Sequence, residues 1–173
     1  MPSTSKTFGA PPHRRHDGHM ARHDHWHDPE APAPNSLVVA VSAVVIDASR
    51  LLVIRRTDNN LWSLPGGGME PGETVSGAVI REVHEETGYD VKATRLVGVF
   101  SDPAHVIAYD DGEVRQAFSL CFDCTLIAGT ARTSSESSAV EWIPLTELDQ
   151  LDMHQANRER VRVALTSGPA YFT

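Results

Sequence analysis

Of the 173 residues, only two are cysteine, Cys121 and Cys124. A disulfide-stapled secreted scaffold is therefore excluded. Basic charge is also short. Fifteen Lys and Arg face 23 Asp and Glu, for a net charge of −8. That argues against nonspecific binding to nucleic acid or to an anionic membrane, both of which need a basic surface. A nucleotide substrate is still allowed, because a bound cation can reverse the local sign. Long apolar runs are missing too. The longest, Leu37 to Ile46, is too short to cross a bilayer. The first residues lack the apolar core of a signal peptide, so the expected location is cytoplasmic. There is no internal repeat.

The two cysteines stand as Cys-x-x-Cys. The segment around them alternates, with Phe118, Leu120, Phe122, Cys124 and Leu126 on one parity and Ser119, Cys121, Asp123 and Thr125 on the other. Residues three apart on a strand point to opposite faces, so the sulfurs should not meet. A pair of reduced thiols is expected, one of them in the core, and not a zinc or redox site.

Residues 1–36 differ from the rest. They hold six of the nine histidines and six prolines, with no apolar periodicity. Such a stretch cannot bury enough surface to offset its ordering entropy. A disordered tail is expected over 1–36, with Trp26 and the Pro-rich Asp28 to Asn35 as the part able to dock on the domain. One domain is expected over 37–167 and a short C-terminal tail over 168–173.

Charge and burial conflict at one place. Residues 74–87 read as a helix, with Gly88 as its stop. On a wheel at about 100° per residue, Ala78, Val79 and Val83 form one apolar stripe. Glu82 and Glu86 fall inside that stripe and Glu85 lies beside it. The carboxylates also sit at the negative end of the helix dipole. Two unit charges about 5 Å apart cost roughly 3 kcal/mol at an effective dielectric near 20. Folding alone does not ask for this arrangement. A hard divalent cation would relieve it and keep positions for water and phosphate. Ahead of the helix, Pro65, Gly66, Gly67, Gly68 and Pro71-Gly72 read as a loop whose backbone can approach a ligand closely.

This stretch resembles the signature box of the Nudix hydrolases: Gly, five residues, Glu, seven residues, Arg-Glu, apolar, any, Glu-Glu, any, Gly, apolar. Gly67, Glu73, Arg81, Glu82, Val83, Glu85, Glu86 and Gly88 match it. Tyr89 stands where an aliphatic residue is more usual. The resemblance runs from about Leu37 to Leu165. It implies an α/β fold, a Nudix-like α/β/α sandwich with a mixed β-sheet. It implies hydrolysis of a nucleoside diphosphate linked to a further group X, with Mg²⁺ or Mn²⁺ as cofactor. The implied metal ligands are Glu82, Glu85, Glu86 and the Gly67 carbonyl. Arg81 would orient the carboxylates and Glu73 would pair with Arg81. Glu82 or Glu85 is the expected general base, with Glu136, in a Ser-rich loop, as a further candidate. Metal-assisted phosphoanhydride cleavage needs this chemistry on its own account.

Candidate substrate contacts are Arg55, Asp102, Tyr109 and Arg115. Arg56 is a further cation near a strand end. Pro103 lies near the place where ADP-ribose-cleaving relatives often carry a proline, so the lean is toward ADP-ribose or a nucleotide-sugar, with a nucleoside triphosphate as competitor. His84 and His105 are expected to be surface or packing residues. The expected partner is a small-molecule nucleotide, with no nucleic acid and no membrane. Monomer and homodimer both stay open. The competing function is a nucleotide sensor that kept the fold and lost catalysis. The full set Arg81, Glu82, Glu85 and Glu86 favours the enzyme.

Overall fold

A computed structural model describes residues 22–166 and 168–173. Two helices flank one mixed sheet. The strands are β1 (Arg22–Trp26), β2 (Ser36–Leu37), β3 (Ala40–Asp47), β4 (Arg50–Arg56), β5 (Trp62–Ser63), β6 (Gly66–Gly68), β7 (Tyr89–Tyr109), β8 (Val114–Gly129), β9 (Ser137–Pro144) and β10 (Tyr171–Phe172). The helices are α1 (Val75–Thr87) and α2 (Gln155–Leu165), with a 3-10 turn over Leu145–Gln150. The sheet runs β1-β7-β8-β3-β4-β5, with β6 beside β3 and β9 beside β4. Most pairings are antiparallel, but β3 and β8 run parallel, with Val41 opposite Leu120.

Alternation along β3 divides the core into two layers. Val41, Ala43 and Val45 face α1 and pack with Ala78, Val79 and Val83. Val44 faces the other way and packs with Leu51, Val97, Val161 and Val163, the last two from α2. The α/β/α sandwich is thus present. Cys124 lies in the first layer and Cys121 in the second, on opposite faces as the alternation requires. Both thiols are buried, where one was expected in the core.

Several expectations change. The tail was expected to be disordered through residue 36. Residues 1–21 lie outside the described residues, but Arg22–Trp26 forms β1, antiparallel to β7 with Arg22 opposite Tyr109 and Trp26 opposite His105. The Gly66–Gly68 segment is a strand edge and not a loop, with Val41 opposite Gly67. Strand β7 runs unbroken from Tyr89 to Tyr109. Its register with β8 slips between Asp102 and Val106, around Pro103, which has no N–H to give the ladder. On the other edge β1 covers the irregularity, and His27 N–H donates to Ala104 O at 2.8 Å. Tyr89, the departure from the signature, packs edge-on to Trp142 and accepts its Nε1–H at 3.0 Å.

Candidate active site

Thr74 caps α1 by accepting the Gly77 N–H at 3.1 Å. Gly88 ends it with φ 76°, a conformation that Gly adopts at little steric cost. Between these ends Ala78, Val79 and Val83 are buried, and so is Glu86, which is 4% exposed. The inward stripe therefore does end in a carboxylate. Glu86 Oε2 accepts the Gly66 N–H at 2.7 Å. Among the described residues no Lys, Arg or His forms an ion pair with it. Burial, with Glu82 and Glu136 nearby, pushes its carboxyl up to about 8 against the Gly66 hydrogen bond. Ser137 Oγ donates to the Glu86 carbonyl at 2.9 Å and satisfies the helix end.

Glu82 is mostly buried and Glu85 more than half exposed. Burial raises the Glu82 carboxyl, opposed by the Arg81 guanidinium. Arg81 gathers the cluster. It is bidentate to Glu73, with Nε to Oε1 at 2.6 Å and Nη2 to Oε2 at 3.0 Å. Its Nη1 donates to Glu82 at 2.9 Å and to Glu85 at 3.0 Å, and its Nη2 to the Gly68 carbonyl at 3.0 Å. The hydrogen bond from Arg81 holds the Glu73 carboxyl down at about 2. One guanidinium thus fixes three carboxylates and the glycine strand in register, while Glu86 has no direct ion pair and feels Arg56, itself bidentate to Asp58, only at a distance.

The chemistry of the glycine edge suits a divalent cation. A Cβ added at Gly67 would lie 2.7 Å from Cδ and both carboxylate oxygens of Glu82. The backbone at Gly67 is therefore pressed against a carboxylate as only glycine permits. A buried carboxylate without a direct ion pair, a second one beside it and a bare glycine backbone form an oxygen donor set of the kind that a hard divalent cation takes.

A pocket of about 280 Å³ opens beside this edge. Gly66, Gly67, Gly68 and Glu136 line one part of it. Glu136, expected only as an outside candidate, is near enough to raise the carboxyls of Glu82 and Glu86. Of the expected substrate contacts, Tyr109 and Arg115 line the pocket. Arg115 lies over the Tyr109 ring at 4.6 Å and is bidentate to Glu113. Arg55 and Asp102 do not line it. Arg55 lies over the Trp62 ring, and Asp102 accepts from Ala104 N and contacts His27 at 3.0 Å. Arg56 lines it and is bidentate to Asp58.

The rest of the lining was not foreseen. Arg22 and Asp24 come from β1, and His154, Asn157 and Arg160 from the start of α2. His105, expected to be a surface or packing residue, is buried in the same wall and polar in role. Asp24 Oδ1 meets His105 Nε2 at 2.7 Å and His154 Nε2 at 3.2 Å, while Oδ2 accepts from Arg22 Nη2 at 2.8 Å. Burial disfavours the Asp24 charge. The two histidine hydrogen bonds and Arg22 outweigh it and hold the carboxyl far below the usual range. This trio resembles a metal ligand set in composition. However, His154 Nδ1 accepts the Ala156 N–H at 3.2 Å as the cap of α2. Its proton therefore sits on Nε2 and is donated to Asp24, so the ring has no lone pair for an ion. The trio is a clamp joining β1, β7 and α2.

Comparison with known proteins agrees with this geometry. The family model described as NUDIX domain matches residues 36–164. A MutT-like protein of Streptomyces ambofaciens is 41% identical over 122 residues, 70% of this chain and 73% of its own. An ADP-ribose pyrophosphatase of Methanocaldococcus jannaschii is 34% identical over 65% of each chain. A nucleoside triphosphatase NudI of Enterobacter sp. is 36% identical over 56% of this chain and 71% of its own. Among solved structures, an ADP-ribose pyrophosphatase from Streptococcus suis superposes with a TM-score of 0.61, at 24% identity over 78% of this chain and 96% of that one, and so speaks to the fold alone.

Proposed function

The chain belongs to the Nudix hydrolase family, enzymes acting on phosphoanhydride bonds, and we propose that it is a divalent-metal-dependent pyrophosphohydrolase of small nucleotides that cleaves a nucleoside diphosphate from a group X. One observation carries the metal dependence. Glu86 is a buried carboxylate with a backbone N–H for a partner and no direct ion pair, Arg56 acting on it only at a distance while bidentate to Asp58, and it stands beside a second carboxylate held against a bare glycine. Leaving such a charge uncompensated costs several kcal/mol, which a bound Mg²⁺ or Mn²⁺ would offset.

In this reading Glu82, Glu86 and the Gly67 carbonyl would hold the metal, with Glu85 as a further ligand. When bound, the metal supplies charge neutralisation on the phosphates and a more acidic water. Arg81 keeps Glu82 and Glu85 oriented and spends its remaining donors on Glu73 and the Gly68 carbonyl. Glu82 and Glu85 are the candidate bases from the helix. Glu136 lines the pocket beside the glycine edge, close enough to act on the Glu82 and Glu86 carboxyls, and can take a proton from a water there. Tyr109 and Arg115 belong to the substrate wall.

Relatives named both ADP-ribose pyrophosphatase and nucleoside triphosphatase match the chain. Pro103, at the slip in β7, leans the choice toward ADP-ribose or a nucleotide-sugar. The test is turnover with Mg²⁺ on a panel holding ADP-ribose, nucleotide-sugars and the common nucleoside triphosphates. A tenfold or larger advantage in kcat/KM for a triphosphate, about 1.4 kcal/mol in transition-state free energy, rejects the lean. Binding without turnover on the whole panel rejects the enzyme reading.

A further inference from the structure

Three side-chain polar atoms among the described residues are shut off from solvent with no hydrogen-bond partner: Arg22 Nε, Arg160 Nε and Ser42 Oγ. All three residues line the same pocket. Buried donors without partners are rare in folded proteins because each forfeits its hydration, the more so when charged. The three side chains line one cavity, and a ligand there would supply partners once they turn toward it.

Their chemistry narrows what that partner is. The other two arginines on the wall already have carboxylates, Arg56 with Asp58 and Arg115 with Glu113, each bidentate. Arg160 has none. Its hydrogen bond goes from Nη1 to the neutral Asn157 Oδ1 at 3.0 Å. Its guanidinium lies against the Phe100 ring at 5.7 Å, and burial pulls its titration below the ordinary range. A guanidinium has five N–H donors in a fixed fork, matched to carboxylate and phosphate oxygens. Arg22 shares one donor with Asp24, itself clamped by His105 and His154, so the clamp holds Arg22 at the pocket. Ser42 Oγ has only the Cys121 thiol beside it, a weak partner. Ser42 pairs with Gly66 across the sheet and so links these atoms to the glycine edge.

We propose that Arg160 and Arg22, with the hydroxyl of Ser42, form a phosphate-binding subsite, and that the substrate places one of its phosphates there. The proposal rests on the pyrophosphohydrolase reading only for the identity of the anion. It makes β1, which lies ahead of the family-matched region, a part of the substrate site. The phosphate is either the third phosphate of a nucleoside triphosphate or one of the two in any nucleoside diphosphate derivative.

The test begins without metal. Thermal unfolding of the full chain is followed in EDTA against rising inorganic phosphate, with chloride at matched ionic strength as reference. Phosphate should raise the Tm of the parent above the chloride series. Arg160→Met should abolish the rise, and Arg22→Met should shift its midpoint at least fivefold. Lys92→Met, an exposed strand position, should leave it unchanged. Should Arg160→Met fold poorly, Arg160→Lys, which keeps the charge and loses the fork, should still weaken the rise. Glu86→Gln should lose turnover and keep the phosphate response, which separates failure of this subsite from failure of the metal reading. With Mg²⁺, Arg160→Met should raise KM about tenfold. A rise confined to triphosphates assigns the third phosphate, and a rise for ADP-ribose as well assigns the diphosphate. Equal phosphate responses in the parent and both arginine variants, or none in the parent, overturn the proposal and leave the three atoms to water.

Discussion

Three consecutive glycines offer a graded test of the site, because a methyl group at each meets a different obstacle. At Gly66 a Cβ would overlap the Val41 carbonyl oxygen and lie 2.7 Å from Ser42 Cα, both backbone, and φ is 154°. Backbone cannot step aside, so Gly66→Ala should destabilise the fold by about 3 kcal/mol. At Gly67 the obstacle is the tip of a flexible side chain, the Glu82 carboxylate at 2.7 Å, and φ is not positive. The chain should tolerate Gly67→Ala with a loss under about 1 kcal/mol. The carboxylate, however, must move by about 1 Å, breaking its 2.9 Å hydrogen bond from Arg81. Misplacement of that size in a catalytic group costs about a hundredfold in rate. At Gly68 a Cβ meets nothing within 4 Å. Gly68→Ala should change stability by less than about 0.5 kcal/mol and activity by less than about threefold. The assay is thermal unfolding in EDTA beside Mg²⁺-dependent turnover for all three. Gly67→Ala with parental activity, or Gly67→Ala and Gly68→Ala behaving alike, would refute the placement of Glu82 in the metal site.

Other consequences can be measured directly. Glu86→Gln keeps the acceptor for Gly66 N–H and removes an acid that must be protonated to be buried, so activity should fall a hundredfold or more while the metal-free protein gains on the order of 1 kcal/mol, read by turnover and by unfolding in EDTA. Burial pushes the Cys121 thiol up to about 11 and the Cys124 thiol up to about 12, so neither should react with a thiol reagent at pH 8 until the protein unfolds. The sign of the linked stability follows. These are acids whose folded titration lies above the ordinary value of 9.0, so their contribution is complete below pH 9 and is lost as the pH rises toward 11. For Cys121 the loss is about 3 kcal/mol, checked by urea midpoints across that range. Deletion of residues 1–21 should leave KM near the parent value, whereas deletion of 1–26, which takes away β1 with Arg22 and Asp24, should raise it at least fivefold, checked by steady-state kinetics.

The helix with the signature was readable because burial and charge conflict on it. An apolar period of 3.6 residues that ends in carboxylates marks a face at odds with its charge, and Glu86 occupies the inward position that the wheel assigns. The same test finds Arg160. Ala156, Arg160 and Val163 fall on one stripe of α2, and the flanking two are buried. An arginine in an apolar stripe ordinarily snorkels to solvent, which hides the signal from periodicity alone. Strand β1 carried no readable pattern. Arg-His-Asp-His-Trp has no apolar alternation, and it is ordered by partners distant in sequence: the β7 edge, His105 and His154. The glycine edge β6 was hidden for the opposite reason. Its residues have low strand propensity, and only pairing with β3 makes them a strand. Arg55 was a candidate as a cation able to meet phosphate and Asp102 as a polar residue beside Pro103, but Arg55 lies over the Trp62 ring and Asp102 closes a local turn onto Ala104 N–H, so neither lines the pocket.

The central claim is that Glu86 and Glu82 are held inward for a divalent cation. Titration of the protein with Mn²⁺, following free Mn²⁺ by electron paramagnetic resonance, tests it most directly. The parent should bind Mn²⁺ at least tenfold more tightly than Glu86→Gln, and Mg²⁺ should compete for the same site. Equal Mn²⁺ affinity in the parent and Glu86→Gln would contradict the account and make the buried carboxylate a structural residue.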